Sequence, residues 1–65
     1  MSLKFIGVWT RGIMDEPSDV REFLEQWLAS ATVEDWFYRV TYKGKTYFIA
    51  DNGEFGYTAM LPDEY

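Results

Sequence analysis

Only one stretch of this sequence repeats its apolar residues at helical spacing over several turns. Val20, Phe23, Leu24, Trp27, Leu28 and Ala31 recur at i, i+3, i+4, i+7, i+8 and i+11, a single stripe along an α-helix. The spacing predicts a helix over 16–31. Asp15, Glu16 and Ser18 offer N-cap side chains, and Pro17 suits a first turn, where its missing N–H costs nothing. Acids at 15, 16 and 19 also complement the positive end of the helix dipole.

The other apolar runs are short, rich in β-branched and aromatic residues, and bounded by turn signals. They predict strands over 3–10, 35–43, 45–50 and 54–60. Gly7 interrupts the first and suggests a bulge or a close backbone approach. That strand has Leu3, Phe5 and Trp9 on one face and Ile6 and Val8 on the other. Lys43-Gly44 reads as a tight turn, and Asp51-Asn52-Gly53 as the strongest turn in the chain. A three-residue Asp-Asn-Gly loop would pair Ile49 with Phe55 and Tyr47 with Tyr57. A two-residue loop would pair Ile49 with Gly56 and Tyr47 with Thr58. The first keeps one apolar face coherent with Tyr38 and Val40 and is preferred.

The expected fold is therefore α+β, in the order β-α-β-β-β: a mostly antiparallel four-stranded sheet with one helix packed on one face. With 65 residues there is room for one small domain, over 1–65, ordered from about 3 to 61. The expected core is Ile6, Val8, Val20, Phe23, Leu24, Trp27, Leu28, Trp36, Tyr38, Val40, Tyr47, Ile49, Phe55 and Tyr57. A first strand lying parallel beside the second would make the helix a right-handed crossover.

One helix shields one face. The other would carry Phe5, Trp9, Phe37 and Phe48 with Arg39 among them, a candidate interface for another protein or for a second copy of the chain. Arg39, the lysine stems or the segment ending in Tyr65 would cover that face if it is not a contact surface. A stacking platform for single-stranded nucleic acid is the alternative, with Arg39, Lys43 and Lys45 as phosphate contacts. Asp51, Glu54, Asp63 and Glu64 border the same sheet and oppose that use, so nucleic acid is the less favoured partner.

Charge is segregated within the net −5. Seven acids lie between 15 and 35 against Arg21 alone, whereas 36–50 carry Arg39, Lys43 and Lys45 and no acid. Asp15, Asp19, Glu22 and Glu25 (with Gln26 on the same ridge) form a candidate acidic surface. It reads as a solvated helix face, or as a mimic of phosphates that meets a basic partner.

With no cysteine and no histidine, the usual zinc sites and nucleophile–base triads are absent. The adjacent carboxylates Asp15-Glu16 and Glu34-Asp35 are neighbours in a chain too small for much of a cleft. Asp51-Asn52-Gly53-Glu54 lacks the ligand series of a calcium loop, and no glycine-rich phosphate loop precedes a helix. No catalytic, metal or cofactor residue is assigned. No apolar run reaches a membrane-spanning length, and no signal peptide is evident. The expectation is a cytoplasmic, acidic regulator or inhibitor that works by binding protein and is not an enzyme.

Overall fold

The computed structural model describes residues 4–65. Leu3, the start of the predicted first strand, lies outside them. The elements are β1 (Ile6–Trp9), α1 (Arg11–Met14), α2 (Ser18–Ser30), β2 (Phe37–Tyr42), β3 (Lys45–Asp51) and β4 (Tyr57–Met60). Short 3-10 turns occupy Gly53–Phe55 and Pro62–Glu64. The fold is α+β: four strands in one mixed, mostly antiparallel sheet, with one main helix.

The strand order is β1-β4-β3-β2. β1 does not neighbour β2; it lies parallel to β4 at the far edge, and the other two pairs are antiparallel. Gly7 explains the geometry of β1. The register shifts between Ile6 and Val8, so Ile6 pairs with Tyr57, Val8 with Thr58 and Trp9 with Ala59. A bulge inserts one residue and reverses the face of everything after it. Ile6 and Trp9 therefore both meet the helix-side core, while Val8 turns outward and is exposed. The expected grouping of Trp9 with Phe5, and of Val8 with the core, is corrected by that one residue.

α2 begins at Ser18 with Pro17 before it, and no side chain caps it. Val20, Leu24 and Leu28 are buried against the sheet. Phe23 stacks on Tyr42 with centroids 4.1 Å apart, and Trp27 meets the edge of Tyr38 at 5.3 Å. The helix-side core adds Ile6, Ile13, Tyr38, Val40, Tyr47, Ile49, Tyr57 and Ala59. Ile13 is fully buried although its segment, α1, is a single turn of helix that the apolar periodicity did not signal.

The Lys43-Gly44 turn has both residues at positive φ, as a two-residue hairpin of matching twist requires. The second connection differs from expectation. Asn52 N–H donates to the Gly56 carbonyl at 2.7 Å, closing a loop around the Gly53–Phe55 turn, and β4 restarts at Tyr57. Ile49 thus pairs with Ala59 and Asp51 with Tyr57, not Ile49 with Phe55 or Gly56. Phe55 leaves the expected core and is 64% exposed. Trp36 also leaves it, at 62% exposed: it precedes β2, and its ring lies against Phe37 at 5.5 Å, away from the helix-side core.

Candidate functional site: the open face of the sheet

Alternation along β2 and β3 sends Tyr38, Val40, Tyr47 and Ile49 toward α2 and leaves Phe37, Arg39 and Phe48 on the opposite face. Arg39 and Phe48 sit directly opposite each other across the strands, and the guanidinium lies 6.0 Å from the Phe48 ring centroid. Phe37 meets Phe48 at 4.9 Å, and the Tyr65 ring closes the group at 5.4 Å from Phe37 and 5.8 Å from Phe48. Met60, opposite Phe48 on β4, is buried without belonging to the helix-side core. A second small apolar cluster therefore occupies the face that α2 does not cover.

Glu64 holds the segment that carries Tyr65. Its carboxylate accepts from the Thr10 hydroxyl at 2.6 Å, the Gly12 N–H at 3.0 Å and the Leu61 N–H at 2.9 Å. The Gly12 N–H is one of the orphan donors at the start of α1, so the side chain caps that turn from 52 residues away. Gly12 leaves the room: a Cβ there would lie 2.6 Å from Glu64 Oε1. Tyr65 itself remains 71% exposed, so the cover over Phe37 and Phe48 is anchored at Glu64 and its outer side lies in water.

The other predicted interface residues lie elsewhere. Phe5 is 47% exposed and packs over Gly56 at the β1 side of the sheet. Trp9 packs into the helix-side core. The structure thus brings Phe37, Arg39 and Phe48 together and separates Phe5 and Trp9 from them. Tyr65 and Met60 complete the group. A period of two along 57–60 would have flagged Met60, had the register been known.

The acidic ridge is divided. Asp19 accepts from the Tyr42 hydroxyl at 2.8 Å and from Lys43 Nζ at 2.9 Å. Glu16, just before the helix, accepts from Lys45 Nζ at 2.7 Å and the Tyr47 hydroxyl at 3.0 Å. These two carboxylates fasten α2 to the β2–β3 hairpin, and the basic hairpin is partly spent on them. Asp15, Glu22 and Glu25 stay exposed. Of the adjacent carboxylates, Glu16 faces the hairpin, and Asp35 accepts its neighbour Trp36 N–H at 2.7 Å.

A cleft of about 450 Å³, not anticipated from the sequence, opens beyond the end of α2 between Trp27, Ala31, Val33 and Tyr38. Tyr38 shapes it, donating to the Val33 carbonyl at 2.6 Å and accepting from Asp35 N–H at 3.0 Å. Among the described residues no cluster of acids forms a metal-binding group, and no helix is long and apolar enough to cross a membrane.

The fastened carboxylates set the pH response. Hydrogen bonds from Lys45 and then Tyr47 hold Glu16 below the ordinary 4.5, those from Lys43 and then Tyr42 hold Asp19 below 3.8, and those from Thr10 and then Leu61 hold Glu64 below 4.5. A carboxyl depressed in the folded state adds stability above its unfolded pKa and loses it as pH falls through the folded value. Burial, then hydrogen bonding, raises Tyr47 and Tyr57 from 10 to about 12, so their stabilisation is lost as pH rises through that range. Urea midpoints measured against pH should be flat near neutrality and fall at both ends. Glu64→Gln should flatten part of the acid limb; an unchanged acid limb would show that the three hydrogen bonds to Glu64 contribute nothing.

No protein-family model, curated protein or solved structure matches this chain.

Proposed function

We infer that the chain is a small protein-interaction module, regulatory or inhibitory in role and without catalysis of its own, that binds a partner protein through the open face of its sheet. The observation that carries this reading is the cluster of Phe37, Phe48 and Tyr65 with Arg39 over Phe48, on the side away from α2. Aromatic rings and arginine are the residue types that dominate binding energy at protein interfaces. The exposed Tyr65 ring gives this face a cover that a partner's side chain can displace. Asp15, Glu22 and Glu25 supply a second, acidic surface that would steer a basic partner, while Asp19 is engaged with the hairpin.

The test compares wild type with a Phe37→Ser, Phe48→Ser double variant as immobilised baits, with captured proteins quantified. A protein enriched on wild type should be lost from the double variant and retained on Glu22→Lys, Glu25→Lys if the aromatic face leads. The reverse pattern would assign binding to the helix. Single-stranded nucleic acid is the second reading, favoured by the same rings beside Arg39. Oligonucleotide binding that weakens steeply with salt and vanishes in Arg39→Glu would replace the protein-binding reading.

A further inference from the structure

The two edges of the sheet are unequal. β1 is four residues long and bulged at Gly7. β2 runs six residues in unbroken register with β3, without proline, bulge or inward charge. Those are three of the devices that keep an edge from pairing; of the others β2 carries one, the exposed charge of Arg39 at its centre.

The Asp51 N–H donates to the Trp36 carbonyl at 2.7 Å, which sets the hydrogen-bonding phase of the β2–β3 ladder. By alternation Tyr38, Val40 and Tyr42 bond to β3, while the N–H and C=O groups of Phe37, Arg39 and Thr41 point away from the sheet. We propose that this edge pairs antiparallel with β2 of a second copy of the chain, about a twofold axis at Val40, to form one continuous eight-stranded sheet.

The side chains choose the axis. A twofold at Arg39 would set guanidinium opposite guanidinium on the open face, which is unfavourable. A twofold at Phe37, Tyr38 or Thr41 would leave at most three pairs within the strands. A twofold at Val40 pairs 38–42 with 42–38, five positions, and sets Arg39 opposite Thr41 of the second copy. The outward groups of Arg39 and Thr41 then bond in full. The edge is also complementary to itself: each Arg39 faces a neutral Thr41, no like charges stand opposite each other over 38–42, and Lys43 keeps its own partner, Asp19. The inference goes beyond the open-face reading, because it uses the backbone edge of β2 and leaves the aromatic face free.

Thr41 is exposed and opposes Thr46 within its own chain, so it can be changed without disturbing a charge there. The experiment is size exclusion with light scattering from micromolar to millimolar chain, with circular dichroism as the check on folding. Wild type should pass from monomer to dimer. Thr41→Glu, facing Arg39 twice across the axis, should tighten the dimer about tenfold, and Thr41→Arg should weaken it by a similar factor. Thr41→Pro, which removes one outward N–H and no bond to β3, should abolish it. A wild type that stays monomeric throughout would overturn the proposal. So would a dimer indifferent to both Thr41→Arg and Thr41→Pro. Loss of the dimer in Phe48→Ser but not in Thr41→Pro would assign self-association to the aromatic face and also reject the edge.

Discussion

Gly7→Ala should leave much of the chain unfolded at room temperature. An ideal Cβ on Gly7 would lie 1.8 Å from the carbonyl oxygen of Phe55, and the obstacle is backbone, not a flexible tip. Relieving that overlap means parting β1 from the turn before β4, where Tyr57 N–H donates to the Phe5 carbonyl at 2.8 Å. It also disturbs the bulge that sends both Ile6 and Trp9 into the core. A chain of this size has roughly 3–5 kcal/mol of stability to lose, and a forced backbone displacement costs about that much. Urea unfolding followed by circular dichroism measures it. A variant with the wild-type midpoint would show that β1 does not approach Phe55 so closely.

The second large effect is a contrast between two residues that the sequence ranks alike. Ile49→Ala should cost about 3 kcal/mol, because Ile49 is fully buried at the centre of the sheet and its loss leaves a cavity. Phe55→Ala should change stability by no more than about 0.5 kcal/mol, since that ring is mostly in water. A hairpin register pairing Ile49 with Phe55 predicts comparable losses for both. Two unfolding curves therefore decide between the registers, and a large loss in Phe55→Ala would restore the shorter loop.

That register error is instructive because of what it left intact. The expected partner of Ile49 was Phe55 and the observed one is Ala59, four residues further on. A shift by an even number preserves the face of every side chain. Tyr57 accordingly points into the core in both versions. The periodicity of 2 was legible in the residues, but the length of the loop was not. Asn52-Gly53 carried a turn signal, whereas the return through Gly56 depends on contacts with Phe5, which no local reading could supply.

The candidate site was legible to a similar degree. Phe37, Arg39 and Phe48 follow from alternation along two long, regular strands, and they meet as expected. Phe5 and Trp9 did not join them, because one bulged residue turned Trp9 around and the strand order put β4 and β3 between β1 and β2. Of the acidic ridge, Asp19, Glu22 and Glu25 lie on α2 as expected, whereas Asp15 falls at the end of α1, before the helix begins, and the division of the ridge was not visible. Asp19 and Glu16 are tied to Lys43 and Lys45, more than twenty positions away in sequence.

The sequence by itself determined the long helix, the four strands and the faces of β2 and β3, because helical and strand periodicities are local properties of the chain; α1 and the faces of β1 after its bulge were not among them. It also determined that no imidazole or thiol comes from this chain. The tertiary structure alone decided which strands became neighbours, which edge stayed open, and which charges were spent on holding the fold together. Those outcomes depend on residues far apart in sequence, as Glu64 meets Gly12 across 52 positions, and no local window along the chain contains both partners.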